Sequence, residues 1–179
     1  MTERLTVRHA GSMREDEFVA RFGAVIEHSA WVAREAWRRR PFGAFDDLAG
    51  AFEAAVRKAS MPARVELVRA HPELAGREAH AGELTEDSAT EQAGAGLDRL
   101  SHEEAERLRA LNRAYREKFG FPLVIAVRGR DKASILAQGE ARLRHGREEE
   151  LEAAIGEIVE IARLRLRGLV TDNDGKEKT

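Results

Sequence analysis

The chain has 179 residues, no cysteine, and 30 lysine and arginine side chains against 32 acidic ones, which gives a formal net charge of −2. This length is enough for one domain with a buried core, and the absence of a basic excess argues against a general nucleic-acid binder. Without cysteine, disulfides and thiol catalysis are excluded, which fits a cytoplasmic protein. We expect no membrane span, because no apolar run approaches roughly 18 residues, and no secretion signal.

Apolar residues recur at helical spacing along most of the chain, which predicts an all-α, single-domain helix bundle over residues 14–170. Residues 1–13 lack this spacing and are predicted to be a loose N-terminal arm, and residues 171–179 a disordered polar tail. The clearest helix runs from a capping box at Ser101 to Gly120. The predicted helices cover approximately residues 15–26, 30–40, 47–56, 61–71, 88–98, 102–119, 132–145 and 148–169.

The stretch from Phe121 to Val127 departs from helical spacing, because it is uniformly apolar and is followed by Gly129. A buried strand and a buried extended segment both fit this pattern. No other stretch is predicted to be a strand that would pair with it, so we favour an extended segment that crosses the core. Its peptide groups then need other partners, and a polar ligand is one candidate.

Ionisable, small and turn-forming residues are concentrated between Arg69 and Leu97. Proline disfavours the helical conformation for the residue before it, so we expect a helix to end near His71, which precedes Pro72, and to leave the imidazole facing a cleft. Further on, Ser88, Glu91 and Gln92 share one face of a helix end. An imidazole, a carboxylate, an amide and a hydroxyl suffice for proton transfer on a small polar substrate.

Plainer roles stay open for the same residues. Ser88 and Glu91 have the spacing of a capping box, which only closes a helix N-terminus. His71 fits equally well as a surface or capping residue. A metal site is not expected, because the spacing of His71 and His80 matches no compact ligand set and the chain has no cysteine.

The last predicted helix carries one charged side chain on its apolar face. At about 100° per residue, Arg165 lies in line with Ile158 and Leu169, whereas Arg163 points away. A buried arginine needs a carboxylate partner. That carboxylate belongs either to a protein acid, such as Glu91, or to a substrate; the remaining possibility is that the side chain reaches water.

The order of several motifs resembles the 2-oxo-4-hydroxy-4-carboxy-5-ureidoimidazoline (OHCU) decarboxylase family of urate degradation. The motifs are HPELAG at 71–76, GELT at 82–85, SATEQAGAGL at 88–97 and LNRAYREKFGFP at 111–122, with EHSAWVA at 27–33 and RPF at 40–42. The likeness runs from about residue 14 to 170. Two positions depart from the family pattern, since Glu73 stands where aspartate is common and Leu123 where phenylalanine is frequent.

The resemblance implies an all-α homodimer that forms (S)-allantoin by decarboxylation and uses no cofactor. It implies that His71 is the catalytic acid/base and that Arg165 is the inward arginine that stabilises negative charge. Glu91 would accept hydrogen bonds from the substrate and hold it against His71. The substrate-binding groups would be Pro72, Ser88, Gln92 and the main chain of Leu123, Val124, Ile125, Ala126 and Val127.

Two other functions are compatible with such a chain. One is a helical binding protein that takes allantoin-like ligands without turnover. The other is a hydrolase of the preceding urate intermediate, which would need an activated water for which the sequence gives no separate reason. The joint presence of His71, Glu91, Gln92 and Arg165 favours the decarboxylase.

Overall fold

The computed structural model describes residues 4–172. The elements follow in the order β1 (Leu5–Thr6), α1 (Val7–Ser12), α2 (Glu15–Phe22), α3 (Ala30–Trp37), α4 (Phe45–Arg57), α5 (Met61–Arg69), α6 (Arg77–Ala81), α7 (Glu86–Gly94), α8 (His102–Phe119), α9 (Lys132–Arg142), α10 (Arg147–Leu169) and β2 (Val170–Thr171). The predicted all-α class is confirmed, because the two strands found in this range have only two residues each. None of these helices is long and apolar enough to cross a membrane.

The chain, which the sequence predicts to be one domain, divides into two compact units. The first unit contains described residues 4–64 and 159–172, and the second contains residues 65–158. The divisions fall inside α5 and α10. The second unit therefore contains His71 and the rest of the stretch in which the sequence concentrates its candidate site residues.

Aromatic side chains form the centre of the first unit. Phe18 and Phe22 lie one turn apart on α2, are fully buried, and have ring centroids 4.6 Å apart. The ring of Phe52 from α4 lies 6.4 Å from that of Phe18. Residues four apart share one helix face. The apolar residues whose spacing predicted these helices are therefore the ones that form the core.

The prediction of a loose N-terminal arm is wrong for residues 5–12, which form β1 and α1. Leu5 pairs in parallel with Val170 and Thr6 with Thr171, so Thr171 also belongs to a strand rather than to a disordered tail. Within α1, Val7 and Ala10 are buried. The strands are too short to produce a sequence period, which is why the pattern gave no sign of them. Residues 1–3 and 173–179 of the predicted ends lie outside the described residues.

The second unit is organised around α8, whose ends are as predicted. The Ser101 side chain accepts a hydrogen bond from the Glu104 N–H at 3.1 Å, and the Glu104 carboxylate accepts one from the Ser101 N–H at 2.8 Å. The other end stops at Gly120, whose φ of 78° is in the left-handed region that favours glycine. This turn leads the chain directly into the apolar stretch that follows.

The prediction of a buried segment without a partner strand is confirmed. Residues 122–127 form neither helix nor strand, and every residue from Phe121 to Val127 is buried. The close approach of α9 depends on Gly139, where an added Cβ would lie 2.6 Å from Leu111 and 2.7 Å from Leu123. We call residues 122–127 the core segment.

A buried polar network supports the core segment from one side. The Glu150 carboxylate is fully buried, accepts a hydrogen bond from Tyr115 Oη, and lies 2.8 Å from both Arg142 Nε and His145 Nδ1. Arg142 also donates from Nη1 to the carbonyl oxygen of Val124 at 2.7 Å. The sequence predicted only that Glu150 is one of three acids in the first turn of the last helix. The tertiary structure instead makes it the buried centre of this network.

Tyr115 supplies a direct test of the network, because it is the only tyrosine in the chain. Burial, and then the hydrogen bond to Glu150, raise the pKa of its phenol. In the unfolded chain the phenol ionises near its ordinary pKa of about 10. The contribution of Tyr115 to stability should therefore be complete below pH about 10 and be lost as the pH rises further.

We expect no tyrosinate absorbance at pH about 10–11 while circular dichroism reports a folded protein, and its appearance only together with unfolding. Tyr115→Phe serves as the control, because it should remove the absorbance change. A tyrosinate signal with a midpoint near pH 10 in protein that is still folded would contradict the buried network.

Candidate active site

His71 lies just beyond the end of α5 and is buried, with 6% of its surface exposed. Its Nδ1 lies 2.9 Å from the carbonyl oxygen of Leu67. A carbonyl only accepts hydrogen bonds, so Nδ1 carries the hydrogen and Nε2 is the nitrogen that can take up or release a proton. The interpretation of His71 as a surface residue is therefore wrong, and the ring is fixed in orientation.

The loop that follows His71 is held by side chains from two helices. Gln92 Oε1 of α7 accepts a hydrogen bond from the Ala75 N–H at 2.8 Å. Asn112 Nδ2 of α8 donates to the carbonyl oxygen of Leu74 at 3.0 Å. Ala75 has a φ of 45°, a left-handed conformation that a non-glycine residue rarely adopts, and these contacts hold it there. The loop is therefore a fixed part of the surroundings of His71.

The N-terminus of α7 differs from the predicted one. The helix begins at Glu86, and the Thr85 side chain caps it by accepting a hydrogen bond from the Ser88 N–H at 3.3 Å. The capping-box interpretation of Ser88 and Glu91 is therefore wrong, since Ser88 lies inside the first turn. Ser88 and Gln92 are both buried on the inner face of this helix.

Glu91 forms an ion pair with an arginine that follows the core segment. Arg128 Nη2 lies 3.1 Å from Glu91 Oε1, and the exposed fractions of the two side chains are 46% and 10%. This contact connects α7 to the end of the core segment. The suggestion that Glu91 is the partner of Arg165 is wrong, because Arg165 pairs with Glu27 instead.

Arg165 belongs to the first unit and faces inward, as predicted from helical phase. It is 5% exposed, and its Nη1 and Nη2 each lie 3.2 Å from Glu27 Oε1. Nη1 also lies 3.3 Å from the carbonyl oxygen of Val25. Of the alternatives left open by the sequence, the structure contains the buried ion pair with a protein glutamate. Arg163 is 43% exposed and pairs with Asp46, which confirms its outward position.

The sequence did not identify Glu27 as the partner of Arg165, although the motif EHSAWVA begins at Glu27. The sequence feature that could have indicated a buried carboxylate is the position of Glu27 directly after two apolar residues, Val25 and Ile26, which are both buried. A buried carboxylate requires a charged or hydrogen-bonding partner. The pattern identified Arg165 by the same argument but had no means of matching two residues 138 positions apart.

The second unit contains two cavities beside the loop that holds Ala75. One has a volume of about 410 Å³ and is lined by Ala75, His80, Gln92, Leu97, Leu108 and Arg109 among others. The other has a volume of about 640 Å³ and has several arginines in its wall, namely Arg77, Arg109, Arg113 and Arg116. Among the predicted site residues, Gln92 lines the first of these cavities, and none lines the second. Within residues 4–172, no group of three or more His, Asp or Glu side chains is arranged to hold a metal ion.

Comparisons with known proteins agree with the motifs. A family model described as OHCU decarboxylase matches residues 11–167. The 2-oxo-4-hydroxy-4-carboxy-5-ureidoimidazoline decarboxylase of Haloferax volcanii is 42% identical over 90% of this chain and 94% of its own. That of Halalkalicoccus jeotgali is 40% identical over 98% and 97%. The crystal structure of (S)-allantoin synthase matches with a TM-score of 0.73 and 31% identity, over 93% of this chain and 54% of that one.

The two arginines of α10 give a matched pair of variants. Arg165→Ala removes the buried counter-charge of Glu27 and should destabilise the protein by about 3–5 kcal/mol. Arg163→Ala removes a solvent-exposed pair and should change the free energy of unfolding by no more than about 0.5 kcal/mol. Urea denaturation of both variants measures the difference. Equal stability of the two would mean that the Glu27 pair does not hold this part of the first unit together.

Proposed function

The chain belongs to the OHCU decarboxylase family, and we propose that it converts OHCU to (S)-allantoin and carbon dioxide as a step of urate degradation. The observation that carries this proposal is the buried, oriented imidazole of His71 in the unit that also contains the predicted substrate-binding residues. The names of the relatives favour an enzyme over a non-catalytic binding protein for allantoin-like ligands.

The reaction breaks the bond between a ring carbon and its carboxylate group. The electron pair left behind spreads over neighbouring ring atoms as an enolate-like species, and a proton is then added to one face of the ring. The enzyme must hold the substrate, stabilise the developing charge and deliver that proton. Delivery from one fixed side yields a single enantiomer.

His71 is the proposed proton donor. Its Nδ1 is committed to the carbonyl oxygen of Leu67 at 2.9 Å, so the exchangeable proton is on Nε2. The Leu67 carbonyl accepts from Nδ1–H in both charge states, so the ring keeps this bond when Nε2 gains or loses a proton. The adjacent loop is itself fixed through Ala75 and Leu74.

The core segment is proposed to bind the polar ring and ureido arm through its main chain. Ile125 is buried, and neither its N–H nor its carbonyl oxygen forms a hydrogen bond within residues 4–172. Buried peptide groups require partners, and a substrate rich in amide N–H and carbonyl groups supplies both kinds. This supports the earlier assignment of Leu123 to Val127 as substrate-binding, with Ile125 as one residue of that range whose peptide groups are open to a ligand.

The side chains of α7 complete the proposed site. Glu91, held by Arg128, would accept hydrogen bonds from the ring or ureido N–H groups. The Gln92 oxygen is already engaged with Ala75, so its Nε2 would donate to the substrate. Ser88 and Pro72 would form the adjoining surface. That Arg165 stabilises charge on the substrate stays a prediction of the sequence.

We further propose that the protein acts as a homodimer in the cytoplasm, as the family resemblance implies. Light scattering on the purified protein measures the mass of the particle. Twice the chain mass of 19.9 kDa would support the dimer, and a particle of one chain mass would contradict it.

Catalysis should need no cofactor. Protein treated with a chelator and then given freshly generated OHCU should still form (S)-allantoin faster than the spontaneous reaction, because proton transfer by His71 requires no metal. Chiral chromatography of the product over time checks this. Racemic allantoin at the spontaneous rate would contradict the proposed function, and recovery of activity on adding a metal would contradict the absence of a cofactor.

Substitution of His71 separates its chemical role from its structural one. His71→Asn can retain a donor to the Leu67 carbonyl but has no group that exchanges a proton near neutral pH. We expect kcat to fall by about 10²–10⁴, with thermal stability close to that of the wild type. His102→Asn, at an exposed position of α8, is the control and should leave kcat unchanged. Near-normal turnover of His71→Asn would show that another group donates the proton.

A further inference from the structure

Two peptide groups on one side of the core segment are already bonded within the second unit. The carbonyl oxygen of Val124 accepts from Arg142 Nη1 at 2.7 Å. Two residues on, the N–H of Ala126 donates to Glu157 Oε2 at 2.8 Å. Both partners come from the helices α9 and α10, so this edge of the segment is held by the protein itself.

Peptide groups along an extended chain alternate in direction, as side chains do. The bonds made by Val124 and Ala126, two residues apart, fit this alternation because both are directed to α9 and α10. The groups of Ile125, between them, are then directed to the opposite side. This explains why the N–H and the carbonyl of Ile125 find no partner within residues 4–172 although the residue is buried.

Glu157 is itself held in a defined orientation. Its Oε1 accepts a hydrogen bond from Gln138 Nε2 at 2.8 Å, which leaves Oε2 for Ala126. Arg130 Nη2 lies 3.6 Å from the same Oε2. The side chain is 15% exposed, so it lies outside the fully buried network of Glu150. It can therefore be substituted without removing a buried charge from the centre of the unit.

We propose that Glu157 is a positioning residue of the decarboxylase. Glu157 accepts a hydrogen bond from the Ala126 N–H and so sets how the core segment is rotated about its own long axis. This rotation directs the peptide groups of Ile125 to the substrate. The inference rests on the proposed function. It adds a residue from α10 to the site, although Glu157 itself makes no contact with the substrate.

Three substitutions distinguish this role from a general structural one. Glu157→Leu removes the acceptor, and we expect KM for OHCU to rise about tenfold, the worth of one well-placed hydrogen bond, with kcat changed less than about threefold. Glu157→Gln retains an acceptor oxygen and should keep KM within about twofold. Glu160→Leu, at an exposed position of the same helix, is the control and should match the wild type.

If Glu157→Leu fails to fold, Glu157→Asp supplies the same information. Aspartate retains the charge but draws the carboxylate back by one methylene, so KM should rise for Asp and stay normal for Gln. Wild-type KM in the Leu and Asp variants, or an equal rise in Glu160→Leu, would overturn the proposal. A wild-type protein without decarboxylase activity would overturn the proposed function first, whereas normal KM in the variants of an active enzyme would overturn only the role of Glu157.

Discussion

The buried carboxylate of Glu150 is the interaction on which the second unit depends. A charge taken out of water is costly unless it is paired and hydrogen-bonded, and Glu150 meets this requirement through Arg142, Tyr115 and His145. These partners come from α8, from α9 and from the turn after it, so one carboxylate ties three parts of the chain to the start of α10. Because Arg142 also bonds to Val124, the same charge fixes the core segment.

In the proposed function, the core segment converts this structural constraint into a binding surface. A strand inside a sheet would have both of its edges satisfied by neighbouring strands, and a helix would satisfy its peptide groups internally. The core segment does neither, and side chains of Arg142 and Glu157 bond to one edge only. The opposite edge, with the peptide groups of Ile125, is thereby available to a ligand. On this proposal, a helical protein offers main-chain donors and acceptors to its substrate without building a sheet.

Local patterns predicted the elements whose boundaries depend on neighbouring residues. The capping box at Ser101 and the glycine end at Gly120 are both as predicted, because each depends on residues no more than four positions away. The N-terminus of α7 was misplaced, because the spacing of Thr85 to Ser88 fits a cap as well as that of Ser88 to Glu91. The choice depends on where the chain enters the helix after the left-handed turn at Gly82, which a local pattern does not define.

By itself, the sequence determined the all-α class, the irregular apolar stretch after Gly120, the inward position of Arg165 and the family to which the chain belongs. These follow from spacing along the chain and from ordered motifs. Only the tertiary structure decided which charges pair, since Glu27 with Arg165 and Glu91 with Arg128 are 138 and 37 positions apart. The pairing of Leu5 with Val170 was decided in the same way. The physical reason is that charge attraction and strand pairing act through space, whereas a sequence pattern records only how a residue relates to its neighbours along the chain.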